Sequence, residues 1–254
     1  MTTLPTYDAE QLSGLLAILS GVDAVELKLT VPDDRLRPVV RSLGIDPLDA
    51  VVRQVAFVDS PDLRLSEAGL VVRVRRTQHK PGDTTVKLRP MLPADVPDGL
   101  RALDGFKVEV DASPTGYTCS CSLTAEVSDR RAARLMAGER QLVDVLTDEQ
   151  REVLLDRLPE GVTPDDLRVL GPLTLLKVKF APAQLPRRMV AELWFLPDGS
   201  RILELSTKCT PAEAFQAAAE TKVFLAGHGI DLGAPQETKT RSALAALAAA
   251  LEKE

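Results

Sequence analysis

The sequence predicts an α+β protein: an antiparallel β-sheet or barrel with peripheral helices and a helical insertion. Two observations carry that expectation. About eight segments alternate apolar and polar residues with a period of two, the mark of half-buried strands. Gly, Pro and Asp clusters bound these segments, and no regular crossover helices separate them, which argues against βαβ units. A third observation concerns what the polar faces carry, and it leads from fold to function.

In chain order, "AVELKLTV" is the first strand. It is followed by a helix in "PDDRLRPVVRSLG", with acids at its start and Gly44 as its stop. "VVRQVAFVD", "LVVRVRRT", "TTVKLRP" and "DGFKVEV" continue the strands. The stretch from 124 to about 170 changes character: it has helical spacing and many charges, and Thr147 with Gln150 forms a capping-box start. Thr163-Pro164 opens a further short helix through Leu167. Strands return as "LTLLKVKF", "VAELWFL" and "RILELSTK", and Thr210-Pro211 with Glu213 caps a helix that ends near "GHG". The Ala-rich tail "TRSALAALAAALEKE" is a strong helix former. Without an internal repeat or low-complexity linker, residues 1–254 read as one domain.

Composition sets the bounds. The net charge of −6 argues against general affinity for nucleic acid or an anionic membrane. No apolar run approaches the roughly 20 residues of a membrane helix, and "MTTLPTYDAE" lacks the features of a signal peptide. With three cysteines and no CxxC, a cytoplasmic protein with reduced thiols is the simplest expectation. Cys119 and Cys121 share one face if "YTCSCSL" is a strand. With only His79 and His228 in the chain, neither at ligand spacing, packing outweighs a metal or redox site.

The charged faces are the informative feature. Lys28, Arg73, Arg75, Lys87, Arg89, Lys107, Lys177 and Lys179 lie opposite apolar residues on successive strands, with the acids Glu26, Glu109, Glu192 and Glu204 among them. That is eight cations against four acids in a protein that is acidic overall. Two readings are open. The faces are either solvated outer surfaces, paired at up to about 1 kcal/mol per ion pair, or they line an interior. In an interior the cations would need a dense anion, and a polyphosphate suits them by charge and by its acceptor oxygens. Carboxylates among the cations suit a divalent metal that bridges phosphate oxygens. The basic excess, repeated over the strands, favours a polyanion site.

These residues resemble the CYTH superfamily, the triphosphate tunnel metalloenzymes, which include class IV adenylate cyclases, thiamine triphosphatases and inorganic triphosphatases. The family's ExExK is similar to "AVELK", with Glu26 and Lys28 at the second and third marked positions. "FVDSPDLRLSEAGLVVRVRR" resembles the stretch leading to paired arginines, here Arg73 and Arg75. "DTTVKLRP" resembles the lysine strand with Lys87 and Arg89, and "FKVEV" the strand with Glu109. "ETKTRSAL" resembles the closing segment and brings Lys239 to the tunnel. The resemblance is ordered and runs from about Ala24 to Leu244. It implies an eight-stranded antiparallel β-barrel, the triphosphate tunnel, with the ligand inside.

Two departures stand out. Ala24 occupies the place of the first glutamate, with Asp23 expected on the opposite face, and Glu204 is flanked by Ile202 and Ser206 in place of a second acid. The cationic half of the pattern is retained and the acidic half is thinned.

The resemblance implies a metal-dependent phosphohydrolase acting on inorganic triphosphate or an organic triphosphate. In it, Arg73, Arg75, Lys87, Lys177 and Lys239 clamp phosphate oxygens. Glu26, Glu109 and Glu204 hold Mg²⁺ or Mn²⁺. Lys28 either orients the attacking water or contacts a phosphate, Glu192 is metal ligand or general base, and Lys107, Lys179 and Arg89 balance charge near the tunnel mouths. The expected partner is a triphosphate-containing small molecule or short polyphosphate. The alternatives are a non-catalytic polyphosphate- or nucleoside-triphosphate-binding module, which the thinned acids favour, and an adenylate cyclase. With one Trp and two Tyr, the sequence offers no clear stacking platform for a nucleoside.

Overall fold

The structure, a computed structural model, describes residues 9–251 apart from 235 and 237, and apart from the side chains of 11 and 12. The expectation about a signal peptide rests largely on residues 1–8, which lie outside the described residues. No helix among the described residues is long and apolar enough to cross a membrane.

Among the described residues, nine strands close into a barrel: β1 (Ala24–Val31), β2 (Val51–Asp59), β3 (Leu70–Thr77), β4 (Lys80–Leu88), β5 (Phe106–Ser113), β6 (Gly116–Val127), β7 (Arg168–Phe180), β8 (Met189–Phe195) and β9 (Arg201–Cys209). Their order around the barrel is β1-β5-β6-β4-β3-β2-β7-β8-β9. The expected eight-stranded, wholly antiparallel barrel is corrected in both respects. The added strand is β6, which includes "YTCSCSL" and also residues 124–127, expected to be helical. A ring with an odd number of strands cannot close with every pair antiparallel. Here β1 and β5 form the parallel pair, with Ala24 opposite Glu109 and Glu26 opposite Asp111.

The helices, in chain order, are α1 (Ala9–Leu19), α2 (Leu36–Ser42), α3 (Arg64–Glu67), α4 (Asp98–Arg101), α5 (Asp129–Met136), α6 (Asp148–Asp156), α7 (Ala214–Gly227) and α8 (Lys239–Leu251). The inserted segment carries α5 and α6, and β7 begins at Arg168. The capping box at Thr147 forms as expected, each partner accepting the other's backbone N–H at 3.2 Å. Gln150 also donates through Nε2 to the Thr84 and Leu123 carbonyls at 3.1 and 3.0 Å. These bonds pin α6 to the barrel wall and satisfy a fully buried amide.

Strand alternation now has a direction. Val25, Val72, Val86, Val108 and Val110 point outward and pack under α1, α3, α6 and α7. Leu29, Leu203 and Leu205 point outward beneath α2 and α7, and Val74 beneath α5. Each fully buried Val or Leu contributes about 1.5–3 kcal/mol, so this outer shell holds the barrel together. Cys119, Cys121 and Cys209 are free thiols in the same shell, where burial pushes all three upward in pKa. The packing role expected of Cys119 and Cys121 fits this position.

The inner face is divided. Val55, Phe57, Leu173, Leu175, Trp194 and Ile202 lie in register with the charged interior residues. They form one cluster with Ala243, Leu244 and Leu247. The Ala-rich helix α8 therefore packs against the inner face at one end of the barrel and makes an apolar floor. Ile202, a departure from the family's acid, is part of that floor.

Candidate active site

Above the floor the inner wall is ionic. It carries the cations Lys28, Arg53, Arg73, Arg75, Lys87, Arg89, Lys177, Lys208 and Lys239, and the carboxylates Glu26, Asp83, Glu109, Asp111, Glu192 and Glu204. Nine cations face six acids, a local charge of +3 inside a protein of net charge −6. Arg73, Arg75, Lys28, Lys87 and Arg89 keep between 23% and 32% of their side-chain surface accessible, so solvent and small ions reach the wall.

Three groups make up this wall. In the first, Asp111 receives Lys28 at 2.8 Å, Lys87 at 3.3 Å and Arg89 at 3.5 Å. Glu26 lies 3.4 Å from Lys28, and Lys208 reaches Glu109 at 2.8 Å. Burial opposes the Asp111 charge, yet Lys28 and Lys87 draw its carboxyl well below the usual range. Burial likewise opposes the Lys28 charge, and Asp111, Glu26 and Glu204 hold its ammonium above the ordinary lysine range. Lys87 is lowered, chiefly by burial. The backbone holds Arg89 in place: its N–H donates to the Gly69 carbonyl at 2.8 Å. Gly69 has φ +78°, and a Cβ there would lie 2.2 Å from the Arg89 carbonyl oxygen.

In the second group, Lys239 at the start of α8 bridges Glu192 at 2.5 Å and Glu204 at 2.6 Å, and lies 5.2 Å from the Trp194 ring centre. Lys177 at 3.1 Å and Arg53 at 3.3 Å also hold Glu192. Despite burial, Lys239 and Lys177 depress the Glu192 carboxyl strongly. The third group is short of acid. Arg75 donates to Asp83 at 2.8 Å, and Arg73 comes no nearer to that carboxylate than 3.8 Å. The Nε of Arg73 and the Nε of Arg53 are buried without a hydrogen-bond partner. Burial first, and Arg75 second, hold Arg73 down to about 10.

Of the residues expected at the site, Glu26, Lys28, Arg73, Arg75, Lys87, Arg89, Glu109, Lys177, Glu192, Glu204 and Lys239 all sit on this wall. Arg89 goes deeper than a mouth position, to Asp111. Lys107 and Lys179 are exposed at strand ends. Asp23 turns aside, accepting the Val108 N–H at 2.7 Å. Asp59 of "FVDSPDL" also avoids the wall and takes the N–H groups of Ser60, Leu65 and Ser66, anchoring α3. Glu237 of "ETKTRSAL" lies outside the described residues. Sequence reasoning missed Arg53, Asp83, Asp111 and Lys208. Each lies an even number of positions from another interior residue of its strand, so a longer period-two count would have found them.

Glu26, Glu109 and Glu204 do not meet at one point, and no three acidic, His or Cys side chains among the described residues do. The carboxylates come instead in two pairs, Glu26 with Asp111 and Glu192 with Glu204, each converging on one ammonium. Such pairs fit a hard divalent ion that arrives with phosphates, because Mg²⁺ uses one or two carboxylates plus phosphate oxygens and water.

No protein-family model and no curated protein matches this chain. Solved structures do. A protein of Bacillus halodurans described as a candidate adenylate cyclase superposes with a TM-score of 0.59 at 15% identity, over 87% of this chain and 98% of its own. HpAC1 of Hippeastrum, a candidate adenylyl cyclase for which a dominant triphosphatase activity is described, gives 0.59 at 16% identity, over 85% and 92%. The chain shares the fold of these proteins: the closed barrel with peripheral helices expected from the CYTH resemblance is present, with nine strands in place of eight.

Proposed function

We propose that this protein is a CYTH-type phosphohydrolase that binds a triphosphate, inorganic or with an organic group attached, on the inner wall of the barrel and hydrolyses it. The observation that carries this reading is the +3 excess spread over the inner wall, together with the place where Arg73 and Arg75 share one carboxylate, Asp83, and the Arg73 Nε is buried without a partner. Buried cation excess is costly without an anion, and a phosphate chain supplies charge and acceptors together. The triphosphatase activity described for HpAC1, whose fold is shared, supports the choice of reaction.

In this reading Arg73, Arg75, Lys87, Lys177 and Lys239 hold phosphate oxygens and stabilise charge as the terminal bridging P–O bond breaks and water's oxygen bonds to phosphorus. Lys28, firmly protonated, suits phosphate contact better than activation of water. Glu192 suits a positioning role for Lys239, Lys177 and Arg53, since a general base works best with a pKa near the working pH and this carboxyl is pulled far lower. The Glu26–Asp111 pair would hold Mg²⁺ or Mn²⁺, which would supply Lewis-acid polarisation of the phosphates. Glu109 is held by Lys208. Three free buried thiols suit a reducing, cytoplasmic setting.

The test is phosphate release from inorganic triphosphate and ATP with Mg²⁺, Mn²⁺ or EDTA, for wild type, Arg73→Ala and Glu26→Gln. The expected outcome is metal-dependent release that falls at least roughly 100-fold in Arg73→Ala. One observation favours a second reading, binding without turnover: both carboxylate pairs already close on a lysine. Tight binding in EDTA with no release under any metal would select it.

A further inference from the structure

Glu192 and Glu204 lie directly opposite each other on β8 and β9, both on the inner face. Like charges in a directly opposed cross-strand pair destabilise a sheet, and a cation between them removes the penalty. Lys239 is that cation. Its ammonium meets Glu192 Oε2 at 2.5 Å and Glu204 Oε1 at 2.6 Å. The other Glu192 oxygen, Oε1, accepts from Lys177 at 3.1 Å and from Arg53 at 3.3 Å. Two carboxylates thus close on one ammonium, in the position that a bridging divalent ion takes between such donors.

The Glu26–Asp111 pair offers the same kind of donors and is not closed in this way. Lys28 lies 2.8 Å from Asp111 but 3.4 Å from Glu26, and Glu26 keeps 20% of its side-chain surface accessible against 7% for Glu204. Glu26 can turn to an incoming ion without giving up a short contact. Glu204 has no such freedom. Lys239 is the first residue of α8, whose Ala243, Leu244 and Leu247 pack into the floor, and the Trp194 ring centre lies 5.2 Å from the ammonium. Displacing Lys239 would pull on the floor helix. The neighbours of Glu204 along the inner face of β9, Ile202 and Ser206, bring no further carboxylate that could hold an ion beside the lysine.

We propose that the Lys239 ammonium is a tethered cation that takes the place of a divalent ion between Glu192 and Glu204, so that the site takes Mg²⁺ or Mn²⁺ at Glu26 and Asp111 alone. An ammonium has three donors. Two go to the carboxylates, and the third is left for a phosphate oxygen. The proposal deepens the phosphohydrolase reading and rests on it for the ion at Glu26 and Asp111.

Mn²⁺ binding to the triphosphate-free protein, counted by electron paramagnetic resonance, would compare wild type, Lys239→Ala, Glu204→Gln and Glu26→Gln. Melting temperatures would be taken with and without Mn²⁺. Lys239→Ala should bind one more Mn²⁺ per chain than wild type. Mn²⁺ should also raise its melting temperature more than that of wild type, since an ion bound only by the folded state stabilises that state. A Lys239→Ala protein that folds only when Mn²⁺ is present would support the same conclusion. Glu204→Gln, which conserves volume, should keep the wild-type count, and Glu26→Gln should lose one ion. An unchanged count in folded Lys239→Ala, or a lower count in Glu204→Gln, would overturn the tethered cation and leave the phosphate wall intact. No loss in Glu26→Gln would instead overturn the ion at Glu26 and Asp111, and the gain in Lys239→Ala over wild type would still support the tethered cation.

Discussion

The arginine group around Asp83 and the lysine group around Glu192 and Glu204 lie on the same wall, yet their pairing differs. Around Lys239 every cation has a carboxylate partner: Lys239 contacts Glu192 and Glu204 at 2.5 and 2.6 Å, and Lys177 and Arg53 contact Glu192 at 3.1 and 3.3 Å. At Arg73 one carboxylate serves two guanidiniums, and an Nε is left buried without a partner. The fully paired group holds the floor helix to the barrel and so adds stability besides the phosphate contacts proposed for Lys177 and Lys239. The unmatched group keeps its cations for something that arrives from outside. Charge that is satisfied within the fold stabilises it, and charge that is not marks where a ligand binds.

The contrast makes predictions that run from large effects to small. Replacing Lys239 with Met should be the most damaging change to stability, because it leaves Glu204 and part of Glu192 buried without their cation. The expected loss is about 3–5 kcal/mol, read from urea denaturation, and a loss under 1 kcal/mol would erase the distinction between the groups. Arg73→Met should do the reverse. Triphosphate binding should weaken by about 2–5 kcal/mol, or at least roughly 30-fold, while the unliganded protein stays as stable as wild type or gains. At about 10, the folded value of Arg73 lies below that of an unfolded arginine, so its charge opposes folding throughout the neutral range.

Acid should remove the stabilisation that the paired carboxylates supply. Asp111 and Glu192 are depressed in the folded protein, so on acidification the unfolded chain takes up protons before the folded one does. Their stabilisation is complete above the ordinary carboxylate range and drains away as pH falls through it. The melting temperature should therefore drop between about pH 5 and 3, and Asp111→Asn should flatten that drop. An unchanged slope would remove Asp111 from the account. At the small end, Lys107→Ala and Lys179→Ala, exposed at strand ends, should alter stability by less than about 0.5 kcal/mol and triphosphate affinity by less than about threefold.

Much of this was legible in the sequence, and the reason is period two. Val72, Arg73, Val74 and Arg75 announce two opposite faces, and the same alternation recurs on most strands. Strand β6 was harder to count because its inner positions Thr118, Ser120, Ser122 and Thr124 are uncharged, with Glu126 only at its end, and its last residues run into helix-like sequence. The parallel pairing of β1 with β5 leaves no local mark, since it is a property of ring closure. Asp83 was hidden because "KPGD" looks like a turn, and Asp111 because it follows the segment whose alternation was counted. The Ala-rich composition of α8 predicts a helix well, but nothing in it states that the helix packs against the inside of a barrel. Val55, Phe57, Leu173, Leu175, Trp194 and Ile202 gave the hint, as apolar residues on faces that carry charge elsewhere.

The most direct measurement of the central claim is calorimetric titration of wild type and Arg73→Met with inorganic triphosphate in EDTA, with denaturation midpoints of both unliganded proteins taken alongside. The account predicts tight binding to wild type, binding lost in the variant, and midpoints that agree or favour the variant. Equal binding by both proteins, or a variant that binds poorly because it is unfolded, would contradict the view that the unmatched arginines are held for a phosphate chain.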